Sequence, residues 1–192
     1  MHWKQRKIAE SYIIGVALGD GNLSNPNGRA TRLRVTCDAR YPLIQKEIME
    51  KLSALFPQNK VSVINRTKTY KDISVYSNSL EQLLPWRVGY GSKLQQKARV
   101  PSWIKKQKSY AKACLRGLLH TDGSIYTDRG YVMVNFSNHS KELAQDTQML
   151  IKVLGYAPTI SETKKTSGNT KYTVRLARNT EAFITSMELE KS

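Results

Sequence analysis

The sequence predicts an α+β fold built twice over, each half running helix, two strands, helix, two strands, helix, with its sheet covered by helices on one face. Three observations predict it. A small-residue apolar segment ending in Asp-Gly occurs twice, and its two aspartates lie 102 residues apart. Each copy is followed by a run that alternates apolar and polar residues as strands do. Each half then carries an amphipathic stretch, two more strand-like runs and a short closing helix.

The first copy lies in SYIIGVALGDGNLS (11–24). Gly15 and Gly19 stand where alanine would make a helix more stable by about 1 kcal/mol each. Asp20 falls in the last turn, against the negative end of the helix dipole, and Gly21 reads as a left-handed helix stop. Asp-Gly alone is a common turn. The second copy, CLRGLLHTDGSIY (114–126), repeats the frame: Gly15 aligns with Gly117, Gly19 with Thr121, Asp20 with Asp122 and Gly21 with Gly123.

The strands follow in TRLRVTCD, with Leu33, Val35 and Cys37 on one face, and in GYVMVNFSN, with Val132, Val134 and Phe136 on one face. Helices are expected over 42–56 and 140–155, where Leu43 and Met49 align with Leu143 and Met149 at a constant offset of 100. Further strands are read in KVSVINRT, KDISVYSN, APTISETK and KYTVRLAR, and closing helices in SLEQLL and NTEAFITSM.

The 192 residues suffice for a real core and carry 31 Lys and Arg against 15 Asp and Glu, a formal charge of +16. Fifteen of the basic and seven of the acidic residues lie in the first 96, so each half carries +8 and the excess belongs to the folded body. A polyanion, nucleic acid above all, is the expected partner. No apolar run approaches a membrane span or a signal peptide. Cys37 and Cys114 sit in apolar patterns without metal-ligand spacing and read as two core thiols of a reduced, intracellular protein. His120 and His139 lack zinc-site spacing; His120 is expected to pack near the motif helix end, Trp86 and Trp103 near the junction, and Trp3 to cap the first helix.

Small residues four apart let helix backbones approach closely. Gly15 and Gly19 facing Gly117 and Thr121 would make a two-helix seam and bring Asp20 and Asp122 together across a pseudo-twofold axis. Two carboxylates about 4 Å apart repel by roughly 4 kcal/mol at an effective dielectric near 20, so a cation between them is expected. Hard oxygen ligands with room for water and phosphate suit Mg²⁺, with Mn²⁺ or Ca²⁺ substituting in binding.

The paired motifs IIGVALGDG and LRGLLHTDG, with the repeated strands, resemble the LAGLIDADG homing endonucleases, specifically the single-chain kind with two motif copies. The resemblance covers nearly the whole chain, and GYGSKLQQKARVPSWI (89–104) resembles the family's connection between halves. It implies two αββαββα units, a first half at 1–92, a connection at 93–108 and a second half at 109–192, forming a saddle on double-stranded DNA with a long, asymmetric target. It implies a monomer without an obligate protein partner that hydrolyses one phosphodiester per strand across the minor groove. Asp20 and Asp122 take the metal-binding places. Asp38 and its repeat mate Asn138 take the polar position after the first hairpin, and Lys93, or else Lys97, the supporting lysine, with Lys191 as the second-half counterpart. Asp38 departs from the family's frequent glutamine there, and Leu18 and His120 fill the motif's earlier, non-ligand acidic position.

The faces opposite the core are expected to read DNA through Arg32, Arg34, Thr36, Arg66, Lys68, Tyr70 and Ser74 in the first half. In the second half the candidates are Tyr131, Asn135, Lys164, Lys171, Thr173 and Arg175. Each position singly reads as well as a solvated strand residue. A start at Met1 and the lack of a terminal His-Asn give the expectation of a free-standing, intron-encoded enzyme; an RNA maturase and a non-cutting DNA-binding regulator are the alternatives.

Overall fold

The computed structural model describes residues 1–164 and 168–189. Helix α1 spans Trp3–Asp20, longer than its apolar segment, because the His2 ring accepts from the Lys4 amide and caps it. Trp3 is the first helical residue, well exposed, and not the cap. Residues 9–18 of α1 are buried on every side, as suits a helix that lies between two layers instead of on a surface.

Strands β1 (Gly21–Ser24) and β2 (Arg32–Asp38), helix α2 (Pro42–Leu55), strands β3 (Ser62–Asn65) and β4 (Tyr70–Tyr76) and helix α3 (Leu80–Leu83) complete the first half. A short helix α4 (Ser102–Lys105) lies in the connection. The second half repeats the order as α5 (Lys108–Asp122), β5 (Gly123–Asp128), β6 (Tyr131–Asn138), α6 (Lys141–Val153), β7 (Thr159–Lys164), β8 (Thr170–Leu176) and α7 (Thr180–Met187). Pro42 opens α2, where its missing N–H costs nothing, and the Ser140 hydroxyl caps α6 by accepting from the Leu143 amide at 3.1 Å.

The two sheets have the same antiparallel order, β1-β2-β4-β3 and β5-β6-β8-β7. Alternation assigns the faces correctly. Leu33 and Val35 pair with Val75 and Ile73 on the covered side of the first sheet, and Val134 and Phe136 with Leu176 and Val174 in the second. One continuous core runs through both halves, with α1 against α5 at its middle.

That contact is the seam expected from the small residues. A methyl carbon added at Gly15 would lie 2.9 Å from the Cys114 carbonyl carbon, and one at Gly117 2.7 Å from the Val16 nitrogen. At Gly19 it would lie 2.7 Å from the Thr121 Cβ. No side chain fits between these backbones.

Two details differ from the sequence reading. Gly21 is no left-handed stop: its φ is −77°, and that of Gly123 is −85°. Both are glycines because strand turns back tightly on helix, where a Cβ would meet the Ala17 Cα at 2.6 Å and the Leu119 Cα at 2.7 Å. The offset of 100 between α2 and α6 is also corrected. Leu43 is 59% exposed and Leu143 is buried, whereas Ile44, Ile48 and Leu52 match the buried Leu143, Thr147 and Ile151 at an offset of 99.

Candidate functional site

Because Gly19 touches Thr121, the next residues, Asp20 and Asp122, end their helices side by side at the seam. The Lys93 ammonium donates to the carbonyls of Ala17 at 3.0 Å, Leu18 at 2.9 Å and Gly19. It thus supplies the orphan carbonyls of α1 and sets a cation at the negative helix end, which offsets the misplaced acid. Burial pulls its pKa down to about 8, while the carboxylates of Asp122 and Asp20 act to raise it. One lysine therefore feels both acids. Trp86 packs its ring 5.6 Å from the same ammonium.

A cavity of about 480 Å³ opens beside Asp20 and takes its walls from both halves, including Thr36, Asp38, Arg40 and Tyr70 from the first and Thr121 and Ser124 from the second. Asp38 faces it in a two-pronged pair with Arg40, whose Nη2 donates to Oδ2 at 2.7 Å. His120 also lines the cavity, largely buried, with its Nδ1 2.9 Å from the Tyr12 hydroxyl, and Arg116 donates to Glu47. Burial, then the Glu47 charge, holds the Tyr12 phenol well above its ordinary pKa. This polar cluster joins α1, α2 and α5, so His120 has the packing role expected of it.

Strand register corrects the pairing of Asp38 with Asn138. Gly21 faces Val35 and Gly123 faces Phe136, while Val35 pairs with Ile73 and Phe136 with Val174. The halves therefore superpose on these strands at an offset of 101, which sets Asp38 against His139 and Cys37 against Asn138. Asn138 nevertheless reaches the site: its Nδ2 donates to Asp122 Oδ2 at 2.7 Å, and its Oδ1 accepts from the Ser140 amide at 2.8 Å. His139 lies 2.7 Å from the Thr170 carbonyl. Lys97 is exposed with φ 49° and is not the lysine at the helix end; Lys191 lies outside the described residues.

Arg32, Arg34 and Thr36 occupy the open face of β2 opposite Tyr76, Ser74 and Asp72, and Tyr70 follows opposite Asp38. Arg66 and Lys68 sit exposed in the turn between β3 and β4. In the second sheet Arg175, Thr173 and Lys171 share the open face with Asn135 and Ser137, and Tyr131 is exposed at the hairpin. Three positions differ from expectation. Ser74 is buried. Asn135 is buried too, donating to the Tyr126 hydroxyl at 2.9 Å and accepting from Arg175 at 3.3 Å. Lys164 pairs with Thr170 on the parity of Val174, the opposite face, and Thr163 stands where a lysine was expected. The sequence reading missed Asp72, which accepts from the Thr36 hydroxyl at 2.7 Å and puts an acid among the arginines; its KDISVY alternation carried that signal.

The WhiA LAGLIDADG-like domain model matches residues 9–84, and the LAGLIDADG-like domain model matches residues 109–191. Two curated relatives are DNA polymerases, 26% identical in Thermococcus hydrothermalis and 27% in Thermococcus sp. (strain GE8) over 147 residues. Each match takes in 74% of this chain and only 8% of the polymerase. Among solved structures, I-DmoI in complex with DNA and Ca is similar with a TM-score of 0.68 at 18% identity, over 95% of this chain and 90% of that one. Full-length DUF199/WhiA from Thermatoga maritima is similar with a TM-score of 0.65 at 13% identity, over 100% of this chain and 58% of that one. At these identities the structural likeness is one of fold. With both motif helices, both sheets and both domain models accounted for, this chain carries two LAGLIDADG-like domains in one polypeptide.

Proposed function

We propose that the protein is a site-specific double-strand DNA endonuclease that hydrolyses phosphodiesters with a divalent metal. The observation that carries the reading is that Asp20 and Asp122 end two helices that touch at Gly19 and Thr121, with Lys93 within electrostatic reach of both. Similar structures of I-DmoI hold DNA with Ca and with Mn, and a point variant of I-DmoI is in complex with its target DNA in the presence of 2 mM Mg, which supports a duplex partner and a divalent metal.

The donor set fits Mg²⁺. Among the described residues no group of three or more His, Cys, Asp and Glu could cage a metal, and Mg²⁺ ordinarily takes one or two carboxylates, completing its shell with waters and phosphate oxygens. When bound, the ion polarises phosphate oxygens, lowers the pKa of water and stabilises the leaving 3′ oxygen. Asp20 and Asp122 hold it. Asn138 fixes the Asp122 carboxylate by its hydrogen bond, and Lys93 limits the charge that gathers when phosphate arrives. Arg40 adds a cation at the cavity wall. The open sheet faces, with Arg32, Arg34, Lys171 and Arg175, are the proposed binding surface, and one copy of the chain supplies both acids.

The test is cutting of duplexes from a randomised library with Mg²⁺. Asp20→Asn and Asp122→Asn are expected to bind and not cut; wild-type rates in both would overturn the metal pair. A non-cutting DNA-binding regulator is a second reading, favoured by the match of residues 9–84 to the WhiA model. Tight, sequence-selective binding by the unaltered protein without strand scission would select it.

A further inference from the structure

We infer that the loop of residues 87–97 is a DNA-contacting element of its own, and that the Tyr90 ring at its tip wedges against a base step beside the phosphates drawn to Asp20 and Asp122. The inference rests on the duplex partner proposed above and does not require cutting.

The loop is braced from within. Gln96 Oε1 accepts from the Arg87 amide at 3.0 Å, and its Nε2 donates to the carbonyls of Arg87 at 2.8 Å and Gly91 at 2.9 Å. Gln95 Oε1 accepts from the Ser92 amide at 2.8 Å. Gly89 (φ 86°) and Gly91 (φ 90°) turn the chain on either side of Tyr90 through conformations other residues avoid. At 72% exposure Tyr90 is the most exposed large apolar side chain among the described residues, and Leu94 beside it is 51% exposed.

A soluble chain gains nothing internally by holding this ring in water on an ordered loop. A partner does gain, because a ring already fixed in place loses little freedom on binding. The loop's position says which partner. Lys93 fastens it to the Gly19 carbonyl, one residue before Asp20, and the Cα of Tyr90, three residues from Lys93, lies within about 11 Å of the Lys93 Cα along the chain. The ring is therefore carried on the loop that Lys93 ties to the end of α1, the helix that ends in Asp20. Exposed Arg87 and Lys97 at the two ends of the loop suit the phosphates that flank a step. A flat apolar ring delivered there meets stacked bases, which it can part or cap.

The probe is a duplex recovered by the unaltered protein from a randomised library in Ca²⁺, with 2-aminopurine placed in turn at each central position. Fluorescence is expected to rise on binding at one or two adjacent positions. Tyr90→Ala is expected to abolish the rise and weaken binding on the order of ten- to a hundred-fold, the scale of one lost stacking contact. The salt slope of binding should stay unchanged, since no phosphate contact is removed. Tyr90→Phe should keep both rise and affinity. Binding and unstacking by Tyr90→Ala at the level of the unaltered protein would overturn the inference, as would equal loss in Tyr90→Phe, which would assign the effect to the hydroxyl. Unstacking without strand scission in Mg²⁺ would remove the nuclease reading and keep this one. Failure of the unaltered protein to bind any duplex would remove both.

Discussion

Lys93 Nζ donates to the Leu18 carbonyl oxygen at 2.9 Å, so a residue 75 positions further along the chain completes the helix that ends in Asp20. With the Ala17 and Gly19 carbonyls as its other acceptors, every ammonium proton is engaged at one helix end. The contact explains why an acid is tolerated in that turn. It also ties the connection between halves to the candidate site.

That placement has a pH signature. Burial lowers the Lys93 pKa from 10.5 to about 8 in the folded protein, against the pull of Asp122 and Asp20. Between those values the unfolded chain binds more protons, so the contribution of Lys93 to stability improves as pH rises from about 8 to 10.5 and is least favourable below that window. Denaturant unfolding in EDTA is expected to show the difference between wild type and Lys93→Met rising across the window and flat below about pH 7. A flat difference throughout would place the ammonium in water.

The seam makes a sharper demand. Gly15 and Gly117 face backbone atoms, 2.9 Å and 2.7 Å from where a methyl carbon would go, and backbone yields less readily than a side chain. Gly15→Ala and Gly117→Ala are each expected to cost roughly 1–3 kcal/mol or more through overpacking, read as lowered denaturation midpoints. Gly28→Ala tests the contrast, because nothing lies within 4 Å of its added carbon and only its φ of 67° opposes the change. A larger loss at Gly28 than at Gly15 would contradict the seam.

Asp146 in α6 is wholly buried and receives Arg99 at 2.8 Å, Lys105 at 2.6 Å and the Val100 amide at 2.9 Å. It clamps the connection onto the second half. Asp146→Ala removes the acceptor and leaves Lys105 largely buried with its charge, a change expected to cost about 3 kcal/mol. Limited proteolysis should then cut within residues 93–108, where the unaltered protein resists.

How much of this could be read from the chain depends on the range of the physics. The small-residue frames around Gly15 and Gly117 announce a close helix contact because little else justifies glycine there. Alternation in RLRVTCD assigns Leu33 and Arg34 to opposite faces, because a strand's period is local. Register is not local. Three residues, 39–41, lie between Asp38 and α2, whereas only residue 140 lies between His139, the counterpart of Asp38, and α6, so the repeat runs at an offset of 101 in these strands and 99 in the helices. A single offset of 100 therefore misplaced both Asn138 and Leu43. Lys164 failed for a related reason, since an exposed edge strand lacks the apolar residues that mark its faces. The bonds of Lys93 to α1 span some 75 residues and leave no pattern near either partner.

The open faces of the two sheets lead to the last prediction. Arg32, Arg34, Lys171 and Arg175 lie on those faces, and Arg66 and Lys68 in the adjoining turn. If they neutralise phosphates, the logarithm of the binding constant should fall linearly with the logarithm of salt, and each cation removed should lower the slope by about 1. Arg66→Ala and Lys68→Ala are the cleanest tests, because both side chains are exposed and neither has an acidic partner among the ion pairs of the described residues. Arg34→Ala should change the slope less, because Asp72 at 3.9 Å already offsets part of its charge. The measurement is fluorescence anisotropy of a labelled duplex from low to moderate salt. A slope near zero in the unaltered protein would mean that the sheets do not face the phosphate backbone. An equal drop for Arg34 and Arg66 would mean that Asp72 turns away once DNA is bound.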